Sequence, residues 1–331
     1  MTFFQGMTPD ETLEKFLDRE VRPDTEFLRN CNQVINTVVR LIHQIKKYKV
    51  NQVIKGGSLG KGTAVRGHSD VDLLVVLNNF KDVEDLKDNM HQVLSDFQEY
   101  LIAQVQNETS GDVQIQMTGQ TPFTLQFRLR CSSDWSWFDV DLLPIKDVWS
   151  SWLLGLAGGF QSTYNTIEDN MHLRKHYAKS LAKLQVEFVK PVPSRVKDLI
   201  RLLKYWKNTE GVDLTSYCIE LLVIYVWREN GSQNNFTMKQ LMTKVVDLLA
   251  NFGKTTVAFD DNYSSSSYIK KLNRTPPYVL DPANPFHDTS SDPEWSFSTF
   301  KRDFSRIESK GKQLQRKLGV LPEEGGGCVV A

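Results

Sequence analysis

Length, composition and charge place the chain among ordinary globular proteins. It has 331 residues, and its 40 lysines and arginines equal its 40 aspartates and glutamates in number. This length suits about two domains at roughly 150 residues each. Because the net charge is zero, there is no general attraction to nucleic acid, and any RNA contact has to come from a local basic patch.

The four cysteines are widely scattered, at Cys31, Cys131, Cys218 and Cys328. They form no C-x-x-C pair and have no histidine pair nearby, which argues against a zinc module or a disulfide framework. The N-terminus lacks the basic region and apolar core of a secretory leader, and no stretch is long enough to span a membrane. The sequence therefore predicts a protein of the reducing cytosol.

Two helices are predicted at the start of the chain. Residues 8–11, Thr-Pro-Asp-Glu, form a capping box with proline at the first helical position, so a helix is expected before Pro23. From Phe27 to Ile45 apolar residues recur at spacings of three and four. This pattern predicts a long helix with one face in the core.

A glycine-rich loop at residues 56–62 follows a short predicted strand at 52–54, and Asp70 and Asp72 then open a buried strand that ends at 77. Side chains two residues apart on a strand point to the same face, so both carboxylates can reach one divalent cation. A glycine-rich turn that leads into a helix presents N–H groups to phosphate oxygens, and Lys61 adds a mobile positive charge. The segment predicts a site for Mg²⁺ and a nucleotide.

Each half of this segment also has an ordinary interpretation. A lone D-x-D commonly caps a turn, and a glycine cluster is commonly a plain loop. The order of loop, short helix and buried strand favours the metal-nucleotide site. It is not a P-loop, because G-x-x-x-x-G-K-[ST] is missing.

The next segments predict a helix and two strands of the same sheet. Residues 81–106 have the spacing of a crossover helix, and apolar residues alternate with polar ones at 113–117 and 123–130. A third strand is predicted at 137–144.

That third strand carries Asp139 and Asp141 on one face. If it lies beside the D-x-D strand, one of them completes a carboxylate triad for two metal ions. Asp141 is the better candidate because it stands directly before the apolar end of the strand, whereas Asp139 either assists or is solvated. In two-metal catalysis one ion lowers the pKa of the attacking hydroxyl and the other steadies the triphosphate and the leaving pyrophosphate.

The second half of the chain is predicted to be helical. Ser194 can cap a helix on which Arg201 and Lys204 lie one turn apart, away from the apolar face. These two residues either hold phosphates or form a solvated basic face. A further helix begins at Tyr217, whose ring either stacks on a base or fills the core. Residues 260–267 predict a polar loop.

The remaining segments are irregular or lie near the C-terminus. Residues 276–285 predict a proline-punctuated turn region. Basic and apolar residues between 300 and 318 predict an amphipathic helix, and the flexible tail, 323–331, ends in C-a-a-X. Prenylation of Cys328 together with the basic helix would supply the two signals that stable membrane attachment requires. The alternative is a docking helix with an incidental cysteine.

The motifs taken together resemble those of the 2′-5′-oligoadenylate synthetases. The resemblance runs from V-R-P-D-T near residue 21 through V-I-K-G-G-S-L-G-K-G-T-A-V-R-G-H-S-D-V-D-L to L-I-R-L-L-K-Y-W-K, Y-C-I-E-L-L-V-I-Y-V-W-R-E and V-L-D-P-A-N-P. The glycine loop and D-x-D are shared with the wider nucleotidyltransferase superfamily, including the cyclic dinucleotide synthases. The later motifs point to this family.

The resemblance implies roles for particular residues. Asp70, Asp72 and Asp141 match a catalytic triad that binds two Mg²⁺ ions. The predicted nucleotide contacts are Gly57, Ser58, Lys61, Arg201, Lys204 and Tyr217. The positions that match the family's face for double-stranded RNA are Lys55, Lys190, Ser194 and Arg195, and such side chains can read phosphates and 2′-hydroxyls.

The chain also departs from the family pattern near these positions. Val186 stands where a basic residue is expected, and Pro191 and Pro193 lie in the same region. Ser216 stands where vertebrate members commonly have glutamine near the acceptor.

The expected fold class is α+β. A polymerase-beta-like nucleotidyltransferase lobe with a mixed sheet at 1–155 precedes a helical lobe at 156–322 and the tail at 323–331. The expected function is Mg²⁺-dependent polymerisation of ATP into 2′-5′-linked oligoadenylates with release of pyrophosphate, stimulated by double-stranded RNA in antiviral innate immunity. The alternatives are a cyclic dinucleotide synthase and a catalytically idle RNA-binding protein. The expected location is cytoplasmic, with membrane association through the prenylated tail.

Overall fold

The computed structural model describes residues 2–67, 70–107, 113–131, 137–149, 159–291 and 304–320. Packing divides the chain into two compact units. One unit, called here the sheet unit, is residues 23–190. The other, called here the helical unit, combines residues 1–22 with residues 191–331. The lobe boundaries predicted from the sequence, near 155 and 322, stay predictions, and Cys328 lies outside the described residues.

Helices and strands are numbered in chain order. The α-helices are α1 Leu13–Phe16, α2 Thr25–Gln44, α3 Gly57–Lys61, α4 Val83–Asn107, α5 Gly159–Asp169, α6 Arg174–Ser180, α7 Ala182–Val189, α8 Ser194–Thr209, α9 Ser216–Glu229, α10 Met238–Ala250, α11 Ser265–Lys271 and α12 Ser305–Lys317. The strands are β1 Val50–Lys55, β2 Val71–Leu77, β3 Val113–Gln120, β4 Leu125–Cys131, β5 Phe138–Ile145, β6 Thr256–Val257, β7 Tyr278–Asp281 and β8 Asn284–Asp288.

The sheet unit is built on a five-stranded sheet in the order β1-β2-β5-β4-β3. Strands β2 and β5 are parallel, and the other three neighbouring pairs are antiparallel. The crossover from β2 back to the sheet runs through α4, and a helix is the usual connection where a chain returns in parallel. The expectation of a mixed sheet in an α+β fold is therefore confirmed.

Helices α2 and α4 cover one face of this sheet. The apolar stripe of α2, including Val34, Val38 and Leu41, and that of α4, including Leu94 and Phe97, are buried in one core with the alternate residues of the strands. Those strand residues are Val71, Leu73, Val75, Leu77, Leu125, Phe127, Leu129, Phe138, Val140 and Leu142. Because neighbours on a strand alternate faces, the residues between them point to the other face of the sheet. Asp72 and Asp141 are among these.

The helical unit packs α8, α9, α10 and α12 together and carries a small sheet in the order β6-β7-β8. At its N-terminal end, α1 continues into a π-helical turn at Leu17–Val21. Thr12 accepts the capping hydrogen bond from Lys15, so the first helix begins after the capping-box residues 8–11. No described helix combines the length and hydropathy needed to cross a membrane.

Three local predictions for the second half differ from the structure. Residues 276–285 form the hairpin β7–β8 where a turn region was expected, because Pro277 precedes β7 and Pro285 lies on the edge strand β8, positions that tolerate a missing N–H. The serine-rich segment enters α11 at Ser265. Ser194 is the first residue of α8, and Pro193 takes the N-cap position without a side-chain hydrogen bond.

Candidate active site

The parallel pairing of β2 with β5 brings two of the predicted carboxylates together. In its register Asp72 lies opposite Asp141, and both side chains leave the sheet on the face away from α2 and α4. Gln126 on β4 donates from Nε2 to Asp141 Oδ1 at 3.1 Å, which holds that carboxylate from the other side. Asp70 is exposed and stands just before β2. The sheet therefore juxtaposes Asp72 and Asp141, which meets the condition that the sequence analysis set for a shared site.

The charges of Asp141 and Asp70 act on Asp72. Burial, followed by the charges of Asp141 and Asp70, raises the pKa of Asp72 to about 6. Lys61 and Lys179 act in the opposite direction. A carboxylate whose pKa is raised by like charges is a group whose ionised form a divalent cation would stabilise.

The glycine loop packs directly on Asp72. Gly56 donates its N–H to the backbone oxygen of Asp72 at 2.7 Å. Gly57 has a φ of +50°, and a Cβ at this position would lie 1.6 Å from Asp72 Oδ2. Only glycine fits such an approach, so the loop and the aspartate are fixed together.

The other two predicted residues of the loop lie on α3. Ser58 is half-buried, and its backbone oxygen accepts from the N–H of Thr63 at 2.8 Å. Lys61 is 7% exposed and ends the helix. The five-residue helix thus carries Gly57, Ser58 and Lys61 beside the end of β2 at which Asp72 lies.

The donor set suits a hard divalent cation. Mg²⁺ is commonly bound through one or two carboxylates together with substrate phosphates, and Asp72 with Asp141 offers such a pair of oxygen donors. Within the described ranges, no group of three histidine, cysteine or acidic side chains could by itself hold a metal ion. A cation bound by this pair would leave coordination positions for a bound phosphate.

Asp139 is solvent-exposed on the same strand. Its carboxylate accepts from Arg128 Nε at 2.7 Å, and both side chains are about half exposed, at 49% and 50%. An exposed pair of this kind contributes about 0–1 kcal/mol. Of the two aspartates on β5, the one opposite Asp72 is Asp141.

The predicted nucleotide contacts of the helical unit are held by acidic partners. Lys204 is 3% exposed, and its Nζ lies 2.5 Å from Glu220 Oε1 on α9. Arg201 Nη1 lies 2.7 Å from Asp198 Oδ1, and Asp198 also accepts from Arg22. Their roles in nucleotide binding stay predictions.

Tyr217 is held by a network that the sequence did not indicate. Its hydroxyl donates to Asp281 Oδ1 at 2.9 Å, and His287 Nδ1 lies 2.8 Å from Asp281 Oδ2. Burial, followed by the Asp281 charge, raises the pKa of Tyr217 well above its ordinary value. Asp281 is fully buried. In the sequence, Asp281 lies within the motif V-L-D-P-A-N-P, which indicated a family resemblance but not a contact with Tyr217.

The predicted RNA-facing residues are divided between the two units. On the sheet unit Lys55 donates from Nζ to Asn32 at 2.8 Å, and Lys190 is exposed. On the helical unit Ser194 is exposed, and Arg195 donates to the backbone oxygen of Phe236 at 3.0 Å with its guanidinium 5.5 Å from that ring. Their roles in RNA binding stay predictions.

Two family models match the chain. A nucleotidyltransferase domain matches residues 38–115, and the model described as 2′-5′-oligoadenylate synthetase 1, domain 2, C-terminus, matches residues 160–317. The solved structure of E. coli CdnC in complex with HORMA is similar, with a TM-score of 0.59 and 16% identity over 93% of this chain and 89% of that chain. The Cid1 poly(U) polymerase gives a TM-score of 0.56 with 13% identity over 94% of each chain. The fold and these matches define a nucleotidyltransferase.

Curated relatives narrow the class further. The chain is 28% identical over 300 residues to 2′-5′-oligoadenylate synthase 1A of Rattus norvegicus, covering 84% of each chain. It is 29% identical over 308 residues to synthase 3 of Mus musculus, covering 86% of this chain and 26% of that relative, and 27% identical to synthase 2 of Bos taurus, covering 90% and 44%. The chain thus spans less than half the length of the latter two. Over most of its length the chain is similar to 2′-5′-oligoadenylate synthases, and residues 160–317 match the family model of that name.

The close approach of Gly57 to Asp72 predicts that a methyl group added at Gly57 destabilises the fold. We expect Gly57→Ala to lower the free energy of unfolding by more than the matched Gly67→Ala variant, measured by urea denaturation. Gly67 has a φ of +71° with nothing within 4 Å of an added Cβ, so it reports backbone strain alone. The excess for Gly57, about 1–3 kcal/mol, would be the cost of overpacking. Equal losses would show that the loop does not press on Asp72.

The buried pair Lys204–Glu220 predicts a non-additive stability effect. Lys204→Met should cost about 3–5 kcal/mol of unfolding free energy because it leaves the Glu220 charge buried. Adding Glu220→Leu should recover most of that loss, whereas Arg128→Met in the exposed pair should cost at most about 1 kcal/mol. Urea denaturation of the four proteins measures this. A double variant no more stable than Lys204→Met would contradict the expected coupling.

Proposed function

We propose that the chain polymerises ATP into 2′-5′-linked oligoadenylates with release of pyrophosphate, using Mg²⁺. The observation that carries the proposal is the register of β2 with β5, which sets Asp72 opposite Asp141 beside the glycine loop. The nucleotidyltransferase domain match at residues 38–115, which includes the glycine loop and Asp72, supports it. The oligoadenylate product and the 2′-5′ linkage follow the names of the curated relatives, and ATP is the donor from which such a product is made with release of pyrophosphate.

In the proposed reaction, the 2′-hydroxyl oxygen of the acceptor forms a bond to the α-phosphorus of the donor ATP. The bond between the α-phosphorus and the bridging oxygen breaks, and pyrophosphate leaves with its electron pair. In this proposal Asp141 takes the hydroxyl proton, while Lys61 and the N–H groups of the glycine loop bind the donor phosphates. Bound Mg²⁺ would supply charge stabilisation for the attacking and leaving oxygens.

We further propose that double-stranded RNA stimulates this activity in antiviral defence. Basic side chains at family-matching positions support this proposal, and of these Lys55 and Lys190 are exposed on the sheet unit. With zero net charge, binding would depend on such local contacts and would weaken as salt is raised.

The proposal is tested by incubating pure protein with ATP and Mg²⁺, with and without long double-stranded RNA. Products are separated by chromatography after digestion with linkage-specific nucleases. We expect linear oligomers that resist a 3′-5′-specific nuclease and keep a 5′-triphosphate, in larger yield with RNA. Cyclic products would instead assign the chain to cyclic dinucleotide synthesis, and no product under any condition would favour a binding protein.

Variants of the aspartates test the assigned chemistry in the same assay. Asp72→Asn should lower the rate at least about 100-fold, since groups that only support a metal ligand already cost 10- to 100-fold. The matched control is Asp139→Asn, which removes one carboxylate from the solvent-exposed pair with Arg128. We expect the control to keep its rate. An Asp72→Asn protein as active as the unchanged chain would contradict the mechanism.

A further inference from the structure

An exposed lysine, Lys179, lies near the carboxylate pair and takes no part in the proposed reaction. Lys179 is on the last turn of α6, and its ammonium lies 5.7 Å from the centroid of the Phe123 ring. Among the described residues, no carboxylate forms an ion pair with it. Its charge is therefore available to a ligand.

The position of Lys179 relative to the sheet is defined by its neighbours. It borders the same small cavity as Leu143 and Pro144 on β5. Leu143 is two residues beyond Asp141 and so lies on the same strand face, about 7 Å further along. A lysine side chain at this point can reach a ligand bound over Asp141, and its charge already acts on Asp72.

Lys61 and Lys179 flank the carboxylate pair from opposite sides. Helix α3, which carries Lys61, packs on β1 and β2, whereas α6 packs on β5. Phe123 stands just before β4, the neighbour of β5 on the side away from β2. On the side of β1 and β2, the glycine loop is the proposed site of the donor phosphates. A second anion, bound on the side of β5 and β4, would meet Lys179.

The reaction supplies a second anion of the right kind. The acceptor must place its 2′-hydroxyl near Asp141, and its 5′-phosphates are attached to the same ribose unit or to a neighbouring one. The carboxylates of Asp70, Asp72 and Asp141 repel a phosphate chain. A positive side chain near the acceptor would offset that repulsion. Lysine binds phosphate as a mobile point charge.

We propose that Lys179 binds the 5′-phosphate chain of the acceptor nucleotide and thereby makes the enzyme prefer acceptors that carry 5′-phosphates. This inference rests on the proposed nucleotidyl transfer and adds the specificity of its second substrate site. It assigns Lys179 to binding of the acceptor and not to metal binding or proton transfer at Asp72 and Asp141.

The test uses the full chain with ATP as donor and two labelled acceptors. One acceptor is the 2′-5′-linked adenylate dimer with a 5′-triphosphate, and the other is the same dimer with a 5′-hydroxyl. Rates of extension give kcat/KM for each acceptor in four proteins: the unchanged chain, Lys179→Ala, Lys179→Arg and Lys175→Ala. Lys175 is exposed one turn earlier on α6 and is the matched control for removal of one charge.

The unchanged chain should prefer the triphosphorylated dimer. Lys179→Ala should lower kcat/KM for that dimer by about 10- to 100-fold, the effect of one charge-assisted hydrogen bond, with no change for the 5′-hydroxyl dimer. Lys179→Arg should keep most of the preference, and Lys175→Ala should behave as the unchanged chain.

Other outcomes overturn the inference in distinguishable ways. If Lys179→Ala lowers kcat/KM equally for both dimers, the lysine has a general effect on the site. If Lys175→Ala lowers kcat/KM for the triphosphorylated dimer as much as Lys179→Ala does, the effect comes from the overall positive charge of α6 and not from a contact with the phosphates. The absence of any preference in the unchanged chain would also exclude the assigned role. If the unchanged chain extends neither dimer and makes no oligoadenylate from ATP, the proposed function itself fails.

Discussion

The parallel pairing of β2 with β5 is the constraint on which the candidate site depends. It sets Asp72 directly opposite Asp141, while the alternate residues of both strands are buried under α2 and α4. A slip of one residue would turn the carboxylates into that apolar core and the apolar residues out of it. The burial that stabilises the sheet therefore also fixes the register of the acids. In this way the packing of one face determines the chemistry of the other.

The glycine loop adds a second constraint at the same point. Because Gly57 has no side chain, the loop reaches the Asp72 carboxylate, and the Gly56 N–H binds the backbone of the same residue. The cost of this arrangement is electrostatic, since burial and two neighbouring carboxylates oppose the ionised form of Asp72. Such a cost is typical of functional sites, where it is offset when a cation binds.

Much of the sheet unit could be predicted from the sequence. Strand β2 occupies the predicted residues, and α4 and β5 lie within a few residues of their predicted bounds, because their apolar patterns follow the periods of strand and helix. The pairing of β2 with β5 was a condition in the prediction, since one sequence does not specify which strands are neighbours. The contacts of Gln126 with Asp141 and of Asp281 with Tyr217 join residues 15 and 64 positions apart. No local sequence pattern predicts contacts between residues so far apart. The hairpin β7–β8 was missed for another reason, because prolines on an edge strand resemble the prolines of a turn.

The most direct test of the account is to locate the metal. Crystals grown with Mn²⁺ and a non-hydrolysable ATP analogue would give anomalous peaks for each bound ion. The account predicts Mn²⁺ between the carboxylates of Asp72 and Asp141, with the analogue's phosphates beside Gly57 and Lys61. Nucleotide and metal bound elsewhere, with neither carboxylate in contact with Mn²⁺, would contradict it.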